Sequence, residues 1–428
     1  MRPFLDGWIA GMTEEPFCRE RLERYQLERL RQTVELVRAE SPFYRERLAS
    51  LPDGFPSSLD DFTRLPPTLP GDLAAAPEQF HAAPQDKIAR IVTLRTSGST
   101  GEGKRLFFTG DDLDETVDIF RIGMATFVRP GGRALVLLPG ERPGSIGDLL
   151  VRALAPEREC ILCQASDERS VLERIAKSKA ECLVGLPTQV LSLARCLHSP
   201  LGRTLSQVLL CADYAAPSLV KAVENAWECV VRRHYGLTET VYGGALECKE
   251  RDGLHIMEGN YLFEILNPET LTPTLPGEFG EIVVTTLRTE GTPLLRYRTG
   301  DRGRFLSGTC RCGSILKRIE TTGRLRNGIT LHNGVFVPLH ELDEALFSIP
   351  WLADYSASQE DGYITVSLHA PSREATTPEP APQEHAALAA ALDNLSADAK
   401  SALWKRPFRF RFLPHTHDGV SSRKRVAG

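Results

Sequence analysis

The alternation of apolar and polar positions divides the chain into regions that predict different secondary structures. In residues 20–48, apolar side chains recur at helical spacing among alternating charges, which predicts an amphipathic surface helix. From about Ile88 to Val231, aliphatic runs such as IARIVTL and QVLLCAD alternate with helical stretches such as RSVLERIAKSK. Strands alternating with helices of this length predict βαβ units and a mainly parallel sheet, whose ligands bind in loops after the strands.

The pattern changes again in the second half of the chain. From Leu254 onward it becomes β-rich, with runs such as GNYLFEILNPET and GEFGEIVVTTL. The last hundred residues contain a helix candidate, LHELDEALFSI, and a strand candidate, GYITVSLHA. The alternation of elements therefore predicts an α/β region followed by a β-rich region and a smaller mixed one.

Length and composition narrow the functional classes. A chain of 428 residues fits two or three domains, and its formal net charge of −5 argues against a nucleic-acid carrier. No apolar run approaches the length needed to span a bilayer. The N-terminal stretch MRPFLDGWIAGMTEEPF lacks the uninterrupted apolar core of a secretory signal, so we expect a cytoplasmic protein without membrane partners.

A loop rich in glycine and hydroxyl residues follows the first strand-like run. TLRTSGSTGEGKRLFFTG, from Thr93 to Gly110, places Lys104 just after its glycines. Glycines let backbone N–H groups surround an oxyanion, while hydroxyls add donors and a lysine neutralises charge. A flexible turn between two strands is the alternative. The stretch is not a P-loop, because Lys104 precedes Arg105 instead of Ser or Thr.

Two further polar segments carry candidate nucleotide ligands. In RRHYGLTETVYGG, the ring of Tyr235 offers a stacking face, Thr238 a hydroxyl and Glu239 a carboxylate for magnesium. In LLRYRTGDRGRF, Asp301 follows Thr-Gly in a tight turn, where a carboxylate can accept both hydroxyls of a ribose. Asp301 in a capped loop with an ion pair is the alternative for the second segment.

Ten cysteines are unusual for a chain in which no disulfide framework is expected. Most lie in apolar runs, where a buried reduced thiol is the ordinary outcome. Cys310 and Cys312 instead lie in the polar loop GTCRCGS, and Cys248 and His255 flank the turn KERDG. These three thiols and one imidazole suit a closed tetrahedral zinc site, although free thiols are the alternative because the two pairs are far apart in sequence.

Taken in order, TSGSTGEGK, YGLTET, YRTGD and TGRLRNG closely resemble the motifs of the acyl-adenylate-forming (AMP-binding) superfamily. ALECKERDGLHIMEGNYLFEILNPETLTP resembles its phenylacetate-CoA ligase branch. The resemblance implies an α/β fold with a large N-terminal domain, residues 1–325, whose β-rich part begins at about residue 250. It also implies a small, mobile α+β C-terminal domain, residues 326–428.

The resemblance also implies a role for each matched residue. Lys104, Thr238 and Glu239 would act in catalysis, with Glu239 holding Mg2+. Residues that would bind ATP or coenzyme A are Thr96, Ser97, Gly98, Ser99, Thr100, Gly101, Asp213, Tyr235, Gly236, Asp301, Arg324 and Gly334. Relatives with a cysteine-rich loop at the same place favour a structural Zn2+ at Cys248, His255, Cys310 and Cys312.

The C-terminus departs from the family pattern. Matching LPHTHDG onto the superfamily motif puts Val420 where a lysine belongs, and a valine offers neither charge nor a hydrogen bond. Lys424, four residues further on, is a candidate substitute, and a solvated basic tail is the alternative.

The expected function is ATP-dependent activation of a carboxylic acid, usually aromatic in this branch, to an acyl-adenylate, followed by transfer to coenzyme A. AMP and pyrophosphate would be released. One alternative is transfer to a carrier protein or an amine, and another is a non-catalytic nucleotide-binding relative. The expected partners are the acid, ATP and coenzyme A, with no nucleic acid, and a homodimer is an open possibility for the assembly.

Overall fold

A computed structural model of the chain describes residues 3–94, 103–164, 167–197, 204–330, 336–360, 363–371, 379–393, 395, 408–412 and 426–427. The helices are α1 (Phe4–Ala10), α2 (Arg19–Glu40), α3 (Pro42–Arg47), α4 (Leu59–Phe62), α5 (Pro70–Ala75), α6 (Gly110–Met124), α7 (Ile146–Leu154), α8 (Glu168–Ser178), α9 (Pro187–Cys196), α10 (Pro217–Trp227), α11 (Leu339–Leu346) and α12 (Pro382–Leu392). Short 3-10 turns cover Pro77–Gln79, Gln85–Lys87 and Thr238–Thr240.

The strands are β1 (Ile88–Leu94), β2 (Lys104–Thr109), β3 (Arg133–Val136), β4 (Glu159–Leu162), β5 (Cys182–Gly185), β6 (Gln207–Leu210), β7 (Val230–Gly236), β8 (Gly244–Glu247), β9 (Leu254–Ile256), β10 (Tyr261–Leu266), β11 (Gly280–Thr286), β12 (Tyr297–Leu306), β13 (Arg318–Arg324), β14 (Gly328–Thr330), β15 (Phe336–Pro338), β16 (Asp354–Glu360), β17 (Tyr363–His369), β18 (Phe408–Phe412) and β19 (Val426–Ala427). Helices and strands of both parallel and antiparallel sheets make the fold mixed α/β, which confirms the predicted class.

The chain forms two compact units, each made of separate stretches of sequence. Unit 1 comprises Met1–Thr126, Gly140–Pro156 and His234–Thr321, and unit 2 comprises Phe127–Pro139, Glu157–Arg233 and Thr322–Gly428. The predicted boundary between residues 325 and 326 is a different kind of division, because it marks the hinge about which the small C-terminal domain would rotate. This boundary stays a prediction.

Unit 2 contains the predicted parallel sheet. Its strands are ordered β4-β3-β5-β6, and residues 230–233 of β7 extend the parallel pairing beside β6. β3, β5 and β6 are almost continuously buried and aliphatic, as expected for strands covered on both faces. Helix α8 begins where the Asp167 side chain accepts a hydrogen bond from the Ser170 N–H at 2.8 Å.

One strand of the predicted βαβ series was assigned to the wrong sheet. IARIVTL does form a strand, β1, but it pairs antiparallel with β2 in a separate two-stranded sheet of unit 1. Its burial alternates residue by residue instead of being continuous, because only one face is covered. β1 and β2 therefore form a hairpin, and the glycine-rich stretch between them is not part of a βαβ crossover.

Unit 1 contains the β-rich region and the predicted N-terminal helix. The strands are ordered β10-β11-β12-β13-β9-β8, and residues 234–236 at the end of β7 pair antiparallel with β8. Helix α2 buries Leu22, Leu30, Val34 and Val37 on one face. It stops at Glu40 because Pro42 disfavours helical backbone at the residue before it, and Ser41 then caps α3.

The C-terminal part of unit 2 is α+β, as predicted. LHELDEALFSI forms α11, and GYITVSLHA supplies β17 of a four-stranded sheet ordered β18-β17-β16-β19. Leu342, Leu346 and Val366 belong to the same hydrophobic core as Leu135 and Val208 of the parallel sheet. Among the described helices, none combines the length and the hydropathy required to cross a membrane.

Candidate active site

The glycine-rich loop and two C-terminal candidates lie outside the described residues. These are Thr96, Ser97, Gly98, Ser99, Thr100, Gly101, Gly334 and Lys424, together with Val420. The site is therefore described from the predicted residues that lie within the described ranges, beginning with Lys104 at the first position of β2.

Three side chains of unit 1 meet at one carboxylate oxygen. Lys104 Nζ lies 3.0 Å from Glu239 Oε1 and donates to the hydroxyl oxygen of Tyr297 at 2.8 Å, and the Tyr297 hydroxyl lies 3.0 Å from the same Oε1. Only 11% of the Lys104 side chain and 10% of the Glu239 side chain are exposed. The structure therefore brings together two predicted residues and a tyrosine to which the sequence assigned no role.

The electrostatics of Glu239 follow from this geometry. Burial by itself would raise the pKa of the Glu239 carboxyl, but the charge and hydrogen bond of Lys104, together with hydrogen bonds from the Glu239 backbone and the Tyr297 hydroxyl, lower that pKa below its ordinary value. Glu239 is therefore held as a carboxylate, the form that a hard divalent cation requires.

Side-chain hydroxyls that donate to backbone carbonyls hold the loop that carries Glu239. Val241 and Tyr242 have left-handed φ values of 51° and 67°, which are costly for a β-branched and an aromatic residue. The Thr116 hydroxyl donates to Val241 O at 2.9 Å, and the Tyr261 hydroxyl donates to Thr240 O at 2.8 Å. These bonds from α6 and β10 compensate the strained turn and keep the 3-10 turn at the end of β7.

A second pair of predicted residues also meets in unit 1. The Tyr235 hydroxyl, on β7, donates to Asp301 Oδ2 on β12 at 2.8 Å, and Asp301 is 6% exposed. Gly236 comes next, and a Cβ atom there would lie 2.5 Å from both His234 Cε1 and Tyr242 O. The close approach of two chain segments thus requires glycine at this position.

Three more predicted ligands lie among the described residues, namely Thr238, Asp213 and Arg324. Thr238 begins the 3-10 turn of unit 1, and its carbonyl accepts from Val241 N at 3.0 Å. In unit 2, Asp213 is exposed in the loop after β6, and Arg324 is exposed at the end of β13. A Cβ on Gly323 would lie 3.4 Å from Tyr214 Cβ, so the neighbours of Asp213 and Arg324 in sequence are close in space.

The four predicted zinc ligands converge in unit 1. The sulfur and ring-nitrogen atoms of Cys248, His255, Cys310 and Cys312 all lie within 4.8 Å of one another. Cys248 Sγ is 3.7 Å from Cys310 Sγ, and Cys312 Sγ is 3.5 Å from His255 Nε2. A sulfur separation of 3.7 Å excludes a disulfide, whose S–S bond is about 2.0 Å.

Local structure explains this convergence. Cys248 follows β8, His255 lies in the adjacent strand β9, and the two other cysteines lie in the turn between β12 and β13. Burial, aided by the positive charge of Arg318, lowers the pKa of His255 to about 4. The imidazole is therefore neutral at pH 7, as metal coordination requires.

Tyr297 is the main residue that sequence reasoning missed. Period-2 alternation along β12 buries Tyr297, Thr299 and Asp301 on one face. Since Asp301 was already a candidate, the alternation signal could have identified Tyr297 as a neighbour of the same site. On strand β7, no hydrogen-bond partner among the described residues reaches the buried Nε2 of His234.

The fold is that of the adenylate-forming acyl-CoA ligases. It aligns with a crystal structure of 2-hydroxyisobutyryl-CoA ligase in the postadenylation state, in complex with R3-HIB-AMP, with a TM-score of 0.76 and 17% sequence identity. The alignment covers 95% of this chain and 89% of that one. At this identity the similarity establishes the fold alone.

The sequence establishes the family. The AMP-binding enzyme family matches residues 25–288, and the chain therefore belongs to that family. It is 29% identical to the phenylacetate-coenzyme A ligase of Thermus thermophilus, over 78% of this chain and 77% of the relative. It is 27% identical to the phenylacetate-coenzyme A ligase of Escherichia coli, over 78% of each. Membership of the AMP-binding superfamily and similarity to its phenylacetate-CoA ligase branch are thus confirmed.

Proposed function

We propose that the protein is an AMP-forming acid:CoA ligase that activates an aromatic carboxylic acid with ATP. The observation that carries this proposal is the buried contact between Lys104, which we propose binds phosphate, and Glu239, which we propose binds Mg2+. Family membership and the similarity to ligases of phenylacetate support the reaction and the aromatic substrate class.

In the first half-reaction, a carboxylate oxygen of the acid attacks the α-phosphorus of ATP. The bond between that phosphorus and the bridging oxygen breaks, and pyrophosphate leaves. Thr238 would contact the α-phosphate, and Lys104 and the loop from Thr96 to Gly101 would hold the outer phosphates. Mg2+ at Glu239 would neutralise phosphate charge as pyrophosphate departs.

We propose that the nucleoside binds beside Tyr235 and Asp301 of unit 1. Tyr235 would pack near the adenine, and Asp301 would accept hydrogen bonds from the ribose hydroxyls. Support comes from the 2.8 Å contact between their side chains, which shows that the two lie in one place. Asp213 and Arg324 are proposed as further nucleotide ligands on the family resemblance alone.

In the second half-reaction, the thiol of coenzyme A attacks the acyl carbon and AMP leaves. Gly334 is proposed to line the channel for coenzyme A, and residues 326–428 would rotate between the two half-reactions. Lys424 is proposed as the substitute for the missing lysine at position 420. Transfer to a carrier protein or an amine, and loss of catalysis, are the alternatives.

ATP–pyrophosphate exchange tests this function. We expect exchange that depends on an aromatic acid, and formation of a thioester when coenzyme A is added. Lys104→Ala and Glu239→Gln should each slow the exchange by about 10-fold or more, because each removes a charge-assisted contact in the transition state. Lys221→Ala, at an exposed position of α10, is the matched control. Wild-type exchange in both site variants would refute the assignment.

We also propose that Cys248, His255, Cys310 and Cys312 bind a structural Zn2+. Tetrahedral coordination with Zn–S bonds of about 2.3 Å and Zn–N bonds of about 2.0 Å requires S···S and S···N separations of about 3.8 and 3.5 Å. The separations of 3.7 and 3.5 Å agree with this geometry. Elemental analysis should find about one zinc per chain, and its absence from protein with unoxidised thiols would refute the proposal.

Two expectations about the protein in the cell remain proposals that rest on sequence alone. We propose that it is cytoplasmic and that it assembles as a homodimer. Fractionation of cells that produce the protein would test the first, and light scattering coupled to gel filtration would test the second. A monomeric mass would refute the homodimer.

A further inference from the structure

The contact between Lys104 and Glu239 raises a question about the order of binding. The proposed roles assign Lys104 to phosphates and Glu239 to a metal ion, yet here the two side chains bind each other. Glu239 Oε1 interacts with both the Lys104 ammonium and the Tyr297 hydroxyl, each at 3.0 Å. The Lys104 ammonium is therefore hydrogen-bonded to the carboxylate that a metal ion would coordinate.

We propose that Lys104 is a built-in counter-ion that competes with the divalent metal for Glu239 until nucleotide binds, and that Tyr297 is a positioning residue for both. This inference rests on the proposed function. The nucleotide phosphates would attract Lys104 away from Glu239, and the metal would take its place. The device thus couples metal binding to nucleotide binding at one carboxylate.

The physical reason is the cost of an unpaired charge in a buried place. A carboxylate as enclosed as Glu239 is strongly destabilised if its partner leaves without replacement. Exchange of one cation for another avoids that state, and the phosphates give Lys104 a new anion at the same time. Metal alone must displace Lys104 without this compensation, so it binds weakly. Metal and nucleotide together avoid the penalty, and each strengthens the binding of the other.

Tyr297 is suited to its role because its hydroxyl contacts both charged groups. It accepts from Lys104 at 2.8 Å and can donate to Glu239, and the side chain is 1% exposed. When Lys104 leaves, the hydroxyl still orients the carboxylate toward the arriving metal. Tyr297→Phe removes only this hydroxyl and keeps the packed ring.

Binding of Mn2+ without nucleotide, followed by electron paramagnetic resonance, tests the proposal. We expect Lys104→Met to bind Mn2+ alone at least about 10-fold more tightly than the wild type, although its affinity for ATP falls. Lys221→Met should bind Mn2+ as the wild type does. Subtracting the binding that remains in Glu239→Gln isolates this site from the Cys and His cluster, which prefers softer metals.

A second pair of variants tests Tyr297. Added to Lys104→Met, Tyr297→Phe should weaken Mn2+ binding by about 10-fold, because the carboxylate loses its orienting hydroxyl. If Lys104→Met is poorly folded, Lys104→Gln serves instead, since its amide is neutral and retains a donor for Tyr297. Equal affinity of the lysine variants and the wild type for Mn2+ alone would overturn the counter-ion proposal and leave the ligase function intact. If Glu239→Gln instead retains wild-type exchange and Mn2+ binding, the proposed function of the site fails as well.

Discussion

Breaking the Lys104–Glu239 pair should separate stability from catalysis. Two opposite unit charges 3.0 Å apart attract by about 5.5 kcal/mol at an effective dielectric constant of about 20, before the cost of desolvation. Removing one partner of such a buried pair leaves the other uncompensated and typically costs about 3–5 kcal/mol. We therefore expect Lys104→Met and Glu239→Gln each to lower the free energy of unfolding by about 3 kcal/mol.

The double variant should behave differently. Without either charge, no buried ion is left unpaired, so its free energy of unfolding should return to within about 1–2 kcal/mol of the wild-type value. These values correspond to a coupling energy of about 4–5 kcal/mol in the double-mutant cycle. Exchange of ATP with pyrophosphate should nevertheless stay at least about 10-fold slower than in the wild type, because both the phosphate charge and the metal ligand are missing.

Urea unfolding without nucleotide, followed by circular dichroism, gives the four stabilities, and the exchange assay gives the four rates. Strictly additive losses of stability would mean that the two charges do not stabilise each other in the folded protein. Recovery of exchange in the double variant would mean that neither residue acts on ATP. Either result would refute the reasoning.

Three other changes test the site and its surroundings. Gly236→Ala should abolish ATP–pyrophosphate exchange and lower the free energy of unfolding, because its Cβ would lie 2.5 Å from His234 Cε1. Gly71→Ala has open space around its Cβ and should be tolerated. Normal exchange in Gly236→Ala would contradict the prediction. Burial lowers the pKa of His234 to about 4. Between pH 6.5 and 4 the unfolded chain therefore takes up a proton that the folded chain excludes. The free energy of unfolding should fall by up to about 3 kcal/mol as the pH drops through this range. Urea unfolding across that range should show a shallower slope for His234→Leu, and an unchanged slope would exclude the effect. Cys310→Ser should remove zinc and lower the melting temperature by several degrees, whereas Cys196→Ser should leave both unchanged. A chelator should lower the melting temperature of the wild type and of Cys196→Ser but not that of Cys310→Ser.

Local sequence patterns predicted much of the fold because they depend on neighbours in the chain. Apolar spacing identified the helices α6, α8 and α10, and aliphatic runs identified β3, β5 and β6. Helix α9, whose sequence begins PTQVLSLA, was missed because its residues are buried nearly all round, which removes the amphipathic signal. The pairing of β1 with β2 was also missed, because a strand sequence does not specify its partner.

The sequence alone pointed to the side chains that we propose carry the chemistry of this protein. The order of its motifs identified the AMP-binding family and singled out Lys104, Glu239, Tyr235 and Asp301, and cysteines in polar loops identified a zinc candidate. Their pairing, in contrast, follows from the tertiary fold. Lys104 meets Glu239 across 135 positions and Tyr297 across 193, and the cysteine and histidine ligands converge from β8, β9 and the turn before β13. Such contacts depend on sheet order and on the desolvation of both partners, and no short-range pattern encodes either of these.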